Sequence, residues 1–304
     1  MILSNSIYYQ QAQFLVRILP LVFTEECFAL KGGTAINLFI RNLPRLSVDI
    51  DLVYLPFNSR ADALNEIHQA LSRIAENLEN TFQGIRVHRS FEDKNDALRL
   101  IVSLNNVQIK VELSPVLRGT VFEPEHRMVC DSVEEQFGFV EIPVVSLEDL
   151  YGGKICAALD RQHPRDLFDI WQLLSNEGIS DTIRKTSLVY IISHPTPISE
   201  LIDPRLKDIT SIFQGEFSGM TVEPVTLQEL ERSREALIKS RQSGITANEK
   251  EFLVSFKNGT PDWTLLELDN IEKLPAVQWK LQNLSRMNPQ NKKKALEKLI
   301  KVLD

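Results

Sequence analysis

LKGGTAINLFIRNLPRLSVDIDLVYL, residues 30–55, places two aspartates, Asp49 and Asp51, inside a stretch otherwise patterned as a hydrophobic strand. Aspartate is a poor strand former, and side chains at i and i+2 of a strand share a face, so the two carboxylates sit close together. Like charges so placed need a compensating cation or an exposed edge. Just upstream, Gly32 and Gly33 read as a tight turn that lets backbone approach a ligand with no Cβ in the way, and Thr34 begins a helix over TAINLFIRNL. A helix N-terminus offers amides and a positive dipole end to phosphate oxygens. Phosphate-binding amides beside paired carboxylates share one natural guest, a nucleotide with Mg²⁺, since that cation bridges one or two carboxylates to substrate phosphates. Each half alone is unspecific: a GG pair is usually just a turn, and no Walker lysine-serine follows this one.

Outward from this stretch, CFAL and SVDIDLVYL read as strands around the turn and helix. ADALNEIHQALSRIAENLEN carries Leu64, Ile67, Leu71, Ile74 and Leu78 at helical spacing. IRVHRSF, ALRLIVSL and VQIKVEL alternate as strands, the last two joined by Asn105-Asn106 as a hairpin turn. In IKVEL, Lys110 and Glu112 share one face, which supplies a third carboxylate and a lysine to moderate the like-charge cost. A surface Lys/Glu strand face gives the same pattern.

The first half is thus α/β with a mixed sheet. From Ser146 onward the texture is helical, and the expected organisation is two domains, 1–145 and 146–304, the fold being α/β (α+β) with a mostly helical C-terminal domain. Ser146 and Asp149 resemble a capping box, with Asp in place of Glu or Gln. Lys154 lies late in LEDLYGGKICAALD, and Asp166 and Asp169 lie one turn apart at the start of PRDLFDIWQLLS, so both acids address one place. Acids in a first turn also simply favour the helix dipole. FKNGTPDW reads as a turn between helices. The tail NPQNKKKALEKLIKVLD reads as a last helix whose Lys292, Lys293 and Lys294 face solvent or meet an anion.

Composition sets bounds on the function. The 304 residues are 43% hydrophobic and 25% charged, which excludes disorder as the main state, and a net charge of −7 does not announce a nucleic-acid binder. Cys27, Cys130 and Cys156 form no CxxC pair, so a reducing, cytoplasmic setting is expected. The N-terminal stretch lacks a basic n-region and is interrupted by glutamines and Arg17, so a helix bent near Pro20 is expected in place of a signal peptide. No run is long and apolar enough to span a bilayer. The five histidines show no paired metal spacing.

G-G-T followed, after a helix, by R-x-S-x-D-I-D-L resembles the first motif of the nucleotidyltransferase superfamily, and in detail that of the AbiEii-type (MenT-like) toxins of type IV abortive-infection toxin–antitoxin pairs. LEDLYGGKICAALDRQHPRDLFDIW resembles that family's later motifs, so the resemblance spans roughly residues 26 to 175. It implies that Asp49, Asp51 and Glu112 hold divalent metal (Mg²⁺ or Mn²⁺), that Gly32, Gly33 and Thr34 cradle phosphate, that Lys154 contacts an NTP, and that Asp166 is essential, as a base for an acceptor hydroxyl. The helical domain is expected to complete the active cleft. Implied partners are an NTP, tRNA modified at its 3′ end, and an AbiEi-like antitoxin, with phage defence as the setting. Arg41, Arg45, Arg161 and Arg165 are candidates for phosphate or RNA-backbone contacts. Two rival readings stand beside this one: phosphoryl transfer or protein nucleotidylation on the same site, and a non-catalytic module that binds nucleotide or antitoxin.

Overall fold

The strand patterns of the first half become a seven-stranded mixed sheet in a computed structural model that describes residues 7–94 and 97–304. Its strands are β1 (Phe28–Lys31), β2 (Asp49–Tyr54), β3 (Arg86–Arg89), β4 (Arg99–Leu104), β5 (Val107–Leu113), β6 (Glu125–Met128) and β7 (Glu141–Val144), in the order β3-β4-β5-β2-β1-β7-β6. β2 runs parallel to β5 and antiparallel to β1, while β1 runs parallel to β7. The β4/β5 hairpin closes through Leu104 opposite Val107, and Asn105 takes the left-handed conformation (φ 54°) that asparagine tolerates in such turns. β6 and β7 had no counterpart in the sequence reading.

Alternation decides which face of β2 is buried. Ile50, Leu52 and Tyr54 have no solvent exposure, whereas Asp49 and Asp51, on the other face, are only partly covered. Helix α1 (Ile7–Val22) packs its apolar side, including Leu15, Ile18 and Leu19, against the sheet, and runs through Pro20 into its last turn. Residues 1–6, part of the stretch weighed as a leader, lie outside the described residues. The chain leaves β1 directly into a helical turn, α2 (Gly32–Ala35), which widens into a π-helix over Ile36–Ile40. The two glycines therefore open the helix and do not form a separate turn before it. Next, α3 (Arg60–Thr81) starts at Ser59, whose side chain accepts from the Asp62 amide. Its buried stripe is Ala63, Ile67, Ala70, Leu71, Ile74, Ala75 and Leu78, so the stripe begins at Ala63, with Leu64 only part-covered. Two short helices, α4 (Ser90–Asp93) and α5 (Asp131–Phe137), complete this part.

The chain divides into two compact units, Met1–Ser146 with Ser218–Pro224, and Leu147–Phe217 with Val225–Asp304. The sequence reading did not anticipate the return of 218–224 to the first unit. It is held by main-chain bonds: the Leu46 amide donates to Met220 O (2.9 Å), the Val222 amide to Pro44 O (2.9 Å), and Arg45 bridges Thr221.

The second unit is helical: α6 (Leu147–Asp160), α7 (Pro164–Ser175), α8 (Asp181–Ser193), α9 (Ile198–Ile202), α10 (Thr210–Glu216), α11 (Leu227–Gly244), α12 (Ala247–Lys257), α13 (Pro275–Ser285) and α14 (Pro289–Leu303). α6 and α8 pack closely because Gly152 has no side chain: a Cβ there would stand 2.9 Å from Thr186 and 3.0 Å from the Tyr190 ring. The Tyr190 hydroxyl then donates to Asp149 (2.9 Å), a buried acid in the first turn of α6. Capping boxes at Thr226 and Thr246 start α11 and α12. FKNGTPDW forms the expected turn, with Gly259 at φ 79° between α12 and a 3₁₀ turn at Trp263–Leu265.

Candidate active site

Strand register sets the neighbours of Asp49 and Asp51. Lys31 on β1 pairs with Asp51 on β2, Asp51 with Glu112 on β5, and Glu112 with Arg99 on β4. Paired residues on neighbouring strands face the same side about 5 Å apart, so the four side chains form one lateral row with charges plus, minus, minus, plus. Cations thus flank both carboxylates. Arg99 grips Glu112 directly, its Nε and a terminal nitrogen each 2.7 Å from Oε2. Desolvation lowers the Lys31 pKa from the ordinary lysine value, against the raising effect of Asp51 and Glu112. Asp49 lies one step along β2 beside Lys110. Lys110 was expected to moderate the charge of Glu112; Arg99 makes that contact, and Lys110 is exposed.

The start of α2 is built around the same carboxylates. Gly32 has φ 76°, and a Cβ there would come within 2.3 Å of Asp51 Oδ2, so only glycine leaves room for this carboxylate. A Cβ at Gly33 would stand 2.7 Å from the Arg45 guanidinium. The Thr34 side chain is buried; its hydroxyl donates to the Asp49 carbonyl and lies 2.9 Å from Ser47 Oγ. The Thr34 hydroxyl thereby ties the helix start to β2. Arg45, another expected phosphate or RNA contact, is 2% exposed and donates to Leu46 O (2.9 Å), so it braces the loop from inside.

A second cluster forms within the other unit, where the α6–α7 hairpin brings Lys154, Arg161, Asp166 and Asp169 together. Lys154 is buried, with its Nζ 2.9 Å from Asp166 Oδ1 and 3.0 Å from Asp169 Oδ2. Arg161, in the turn after α6, grips Asp166 through Nε and, at 2.9 Å, through Nη2. α7 is positioned by His163, whose ring accepts from the Arg165 amide (3.1 Å), and by Pro164 in its first turn. Burial pushes the Asp166 carboxyl up, but Lys154 and then Arg161 outweigh it and hold the pKa well below the ordinary carboxylate range. Lys154 is thus an internal ion-pair partner, and a carboxylate so clamped is a weak base.

The structure thus gathers Gly32, Asp51 and Glu112 with Asp49 and Thr34 in one unit, and Lys154, Asp166 and Asp169 in the other. Sequence reasoning missed Lys31, Arg99 and Ser47. Lys31 directly precedes the glycines and Ser47 is the serine of R-x-S, but lateral pairing is not written in a linear pattern. Among the described residues no three His, Cys, Asp or Glu side chains are already gathered as an ion site. The donor chemistry nonetheless fits a hard cation: Asp49 and Asp51 offer carboxylate oxygens from one face of β2, and Glu112 stands beside Asp51.

MenT4, a nucleotidyltransferase toxin from Mycobacterium tuberculosis, has a similar fold, with a TM-score of 0.62 at 15% identity over 91% of this chain and 93% of that one. The family model for the nucleotidyl transferase AbiEii toxin of type IV toxin–antitoxin systems matches residues 13–283, and the chain belongs to this family. Membership implies an NTP substrate and a cognate antitoxin. No curated protein matches the chain. Among the described residues no helix is long and apolar enough to cross a membrane.

Proposed function

We propose that this toxin transfers a nucleotide from an NTP to the 3′ end of tRNA, with release of pyrophosphate, and so blocks translation. The observation that carries the reading is the row of Asp51 and Glu112, flanked by Lys31 and Arg99, at the start of a glycine-opened helix. Asp49 and Asp51, joined by Glu112, are the residues to hold Mg²⁺ or Mn²⁺. Such an ion supplies charge stabilisation at the reacting phosphate. Gly32 and Gly33 present backbone to phosphate oxygens, and Lys31 adds a positive charge at the same end of β1.

Lys154 is assigned to the triphosphate. We assign Asp166 to positioning, because its low basicity and its contacts with Lys154 and Arg161 suit a residue that orders two cations. The cytoplasm, where tRNA and NTPs occur together, is the matching location, and an AbiEi-like antitoxin and a role in phage defence complete the proposal.

The test is incubation with total tRNA, Mg²⁺ and each α-labelled NTP in turn, beside Asp51→Ala. Label on tRNA from one donor, absent with the variant, supports the reading and names the nucleotide. Label from γ-labelled NTP alone would replace it with phosphoryl transfer.

A further inference from the structure

In the helical unit a cavity of about 280 Å³ is lined by Glu200 of α9, Lys257 of α12, and Asn291, Lys294 and Lys298 of α14, with Leu299 and other apolar side chains making up much of its wall. Lys257 is 7% exposed, and among the described residues its ammonium has no hydrogen-bond or ion-pair partner but stays open to solvent. Burial and then Lys292 lower its pKa, while Lys280 is pushed down to about 8 by burial first and Lys257 second, with Cys156 in opposition. The one acid in the lining, Glu200, is bound to Lys298 at 2.7 Å. Asn291 belongs to the first turn of α14, a helix of 15 residues whose N-terminal amides add positive potential.

A largely buried lysine whose ammonium opens into a cavity beside another cation is stabilised by an anion there. A cavity of this size is below the ~300 Å³ at which sites for whole small molecules begin, but it admits one tetrahedral oxyanion. We propose that the α9/α12/α14 cavity is a phosphate-binding site, with Lys257 at its floor and Lys294 at its mouth, distinct from the two clusters described above. The phosphate is either a free phosphate ion or the phosphate group of a compound that lies mostly outside the cavity, or part of a nucleic-acid backbone, and the chemistry of recognition is the same for both. This inference does not depend on the transfer reaction.

The test uses the full chain and inorganic phosphate as probe, measured as the rise in melting temperature over chloride at equal ionic strength. Wild type should be stabilised, with apparent affinity about tenfold weaker in Lys294→Gln, the loss expected for one charged hydrogen bond. Because Lys294 is exposed, that variant tests binding without disturbing the core. Lys257→Met should bind no better than Lys294→Gln yet melt higher without phosphate, since its unpaired charge is gone. A single-stranded RNA oligonucleotide that displaces phosphate from wild type identifies the backbone as the source; RNA that leaves the phosphate response unchanged identifies a free compound. Phosphate stabilisation that is absent in wild type, or equal in wild type and both variants, overturns the proposal.

Discussion

Asp51 stands directly beside Glu112 in the parallel register of β2 and β5, two carboxylates on one face of the sheet with Lys31 and Arg99 at the ends of the row. For stability alone the pairing is poor, since adjacent like charges cost energy even when flanked. It is intelligible if the row is made to meet a cation and phosphates.

Asp51→Asn should therefore separate function from folding. Removing one of two adjacent negative charges leaves the melting temperature within a few degrees of wild type, while transfer falls by about 10²-fold or more, as expected for loss of a group stabilising the reacting charge. Thermal melts and labelled-nucleotide incorporation on the same preparation check both halves.

Gly32→Ala should be damaging for two reasons at once, the left-handed backbone and the approach of a Cβ to within 2.3 Å of Asp51 Oδ2. Gly138, at φ 105° with open space around it, carries only the backbone penalty. Urea midpoints should show Gly138→Ala costing about 1 kcal/mol and Gly32→Ala distinctly more.

Lys154→Met should leave Asp166 and Asp169 buried with one partner fewer, at a cost of about 3–5 kcal/mol. Adding Asp169→Asn removes one of the stranded charges, so the double variant should be more stable than Lys154→Met alone. A double-mutant cycle by urea denaturation measures this coupling directly.

The depressed Asp166 pKa fixes the sign of an acid effect. A carboxyl whose folded pKa lies below its unfolded value of 3.8 contributes stability that is fully present above that value and is lost as pH falls through the folded one. Stability from this group should be flat from neutrality to about pH 5 and decline below about pH 4, with a shallower decline in Asp166→Asn. Denaturation midpoints across that range are the measurement.

How much of this was legible depended on the range of each interaction. Strand alternation put Asp49 and Asp51 on one face and Glu112 on another strand, because that information is local. The identity of their neighbours was not, since Lys31 and Arg99 reach the row only through the register of four strands. The polar, four-residue β6 and the proline-bearing β7 gave no strand signal, and their pairing with the sheet is a tertiary effect. The segment around the buried Arg45 is likewise joined by main chain to 220–222, contacts some 175 residues apart in the chain.

The most direct test of the central claim is the intact mass of the tRNA acceptor after reaction with unlabelled NTPs. The account predicts an increase by whole nucleoside monophosphate residues with wild type and no change with Asp51→Asn. An increase by a single phosphoryl group, or the same product from the variant, would contradict it.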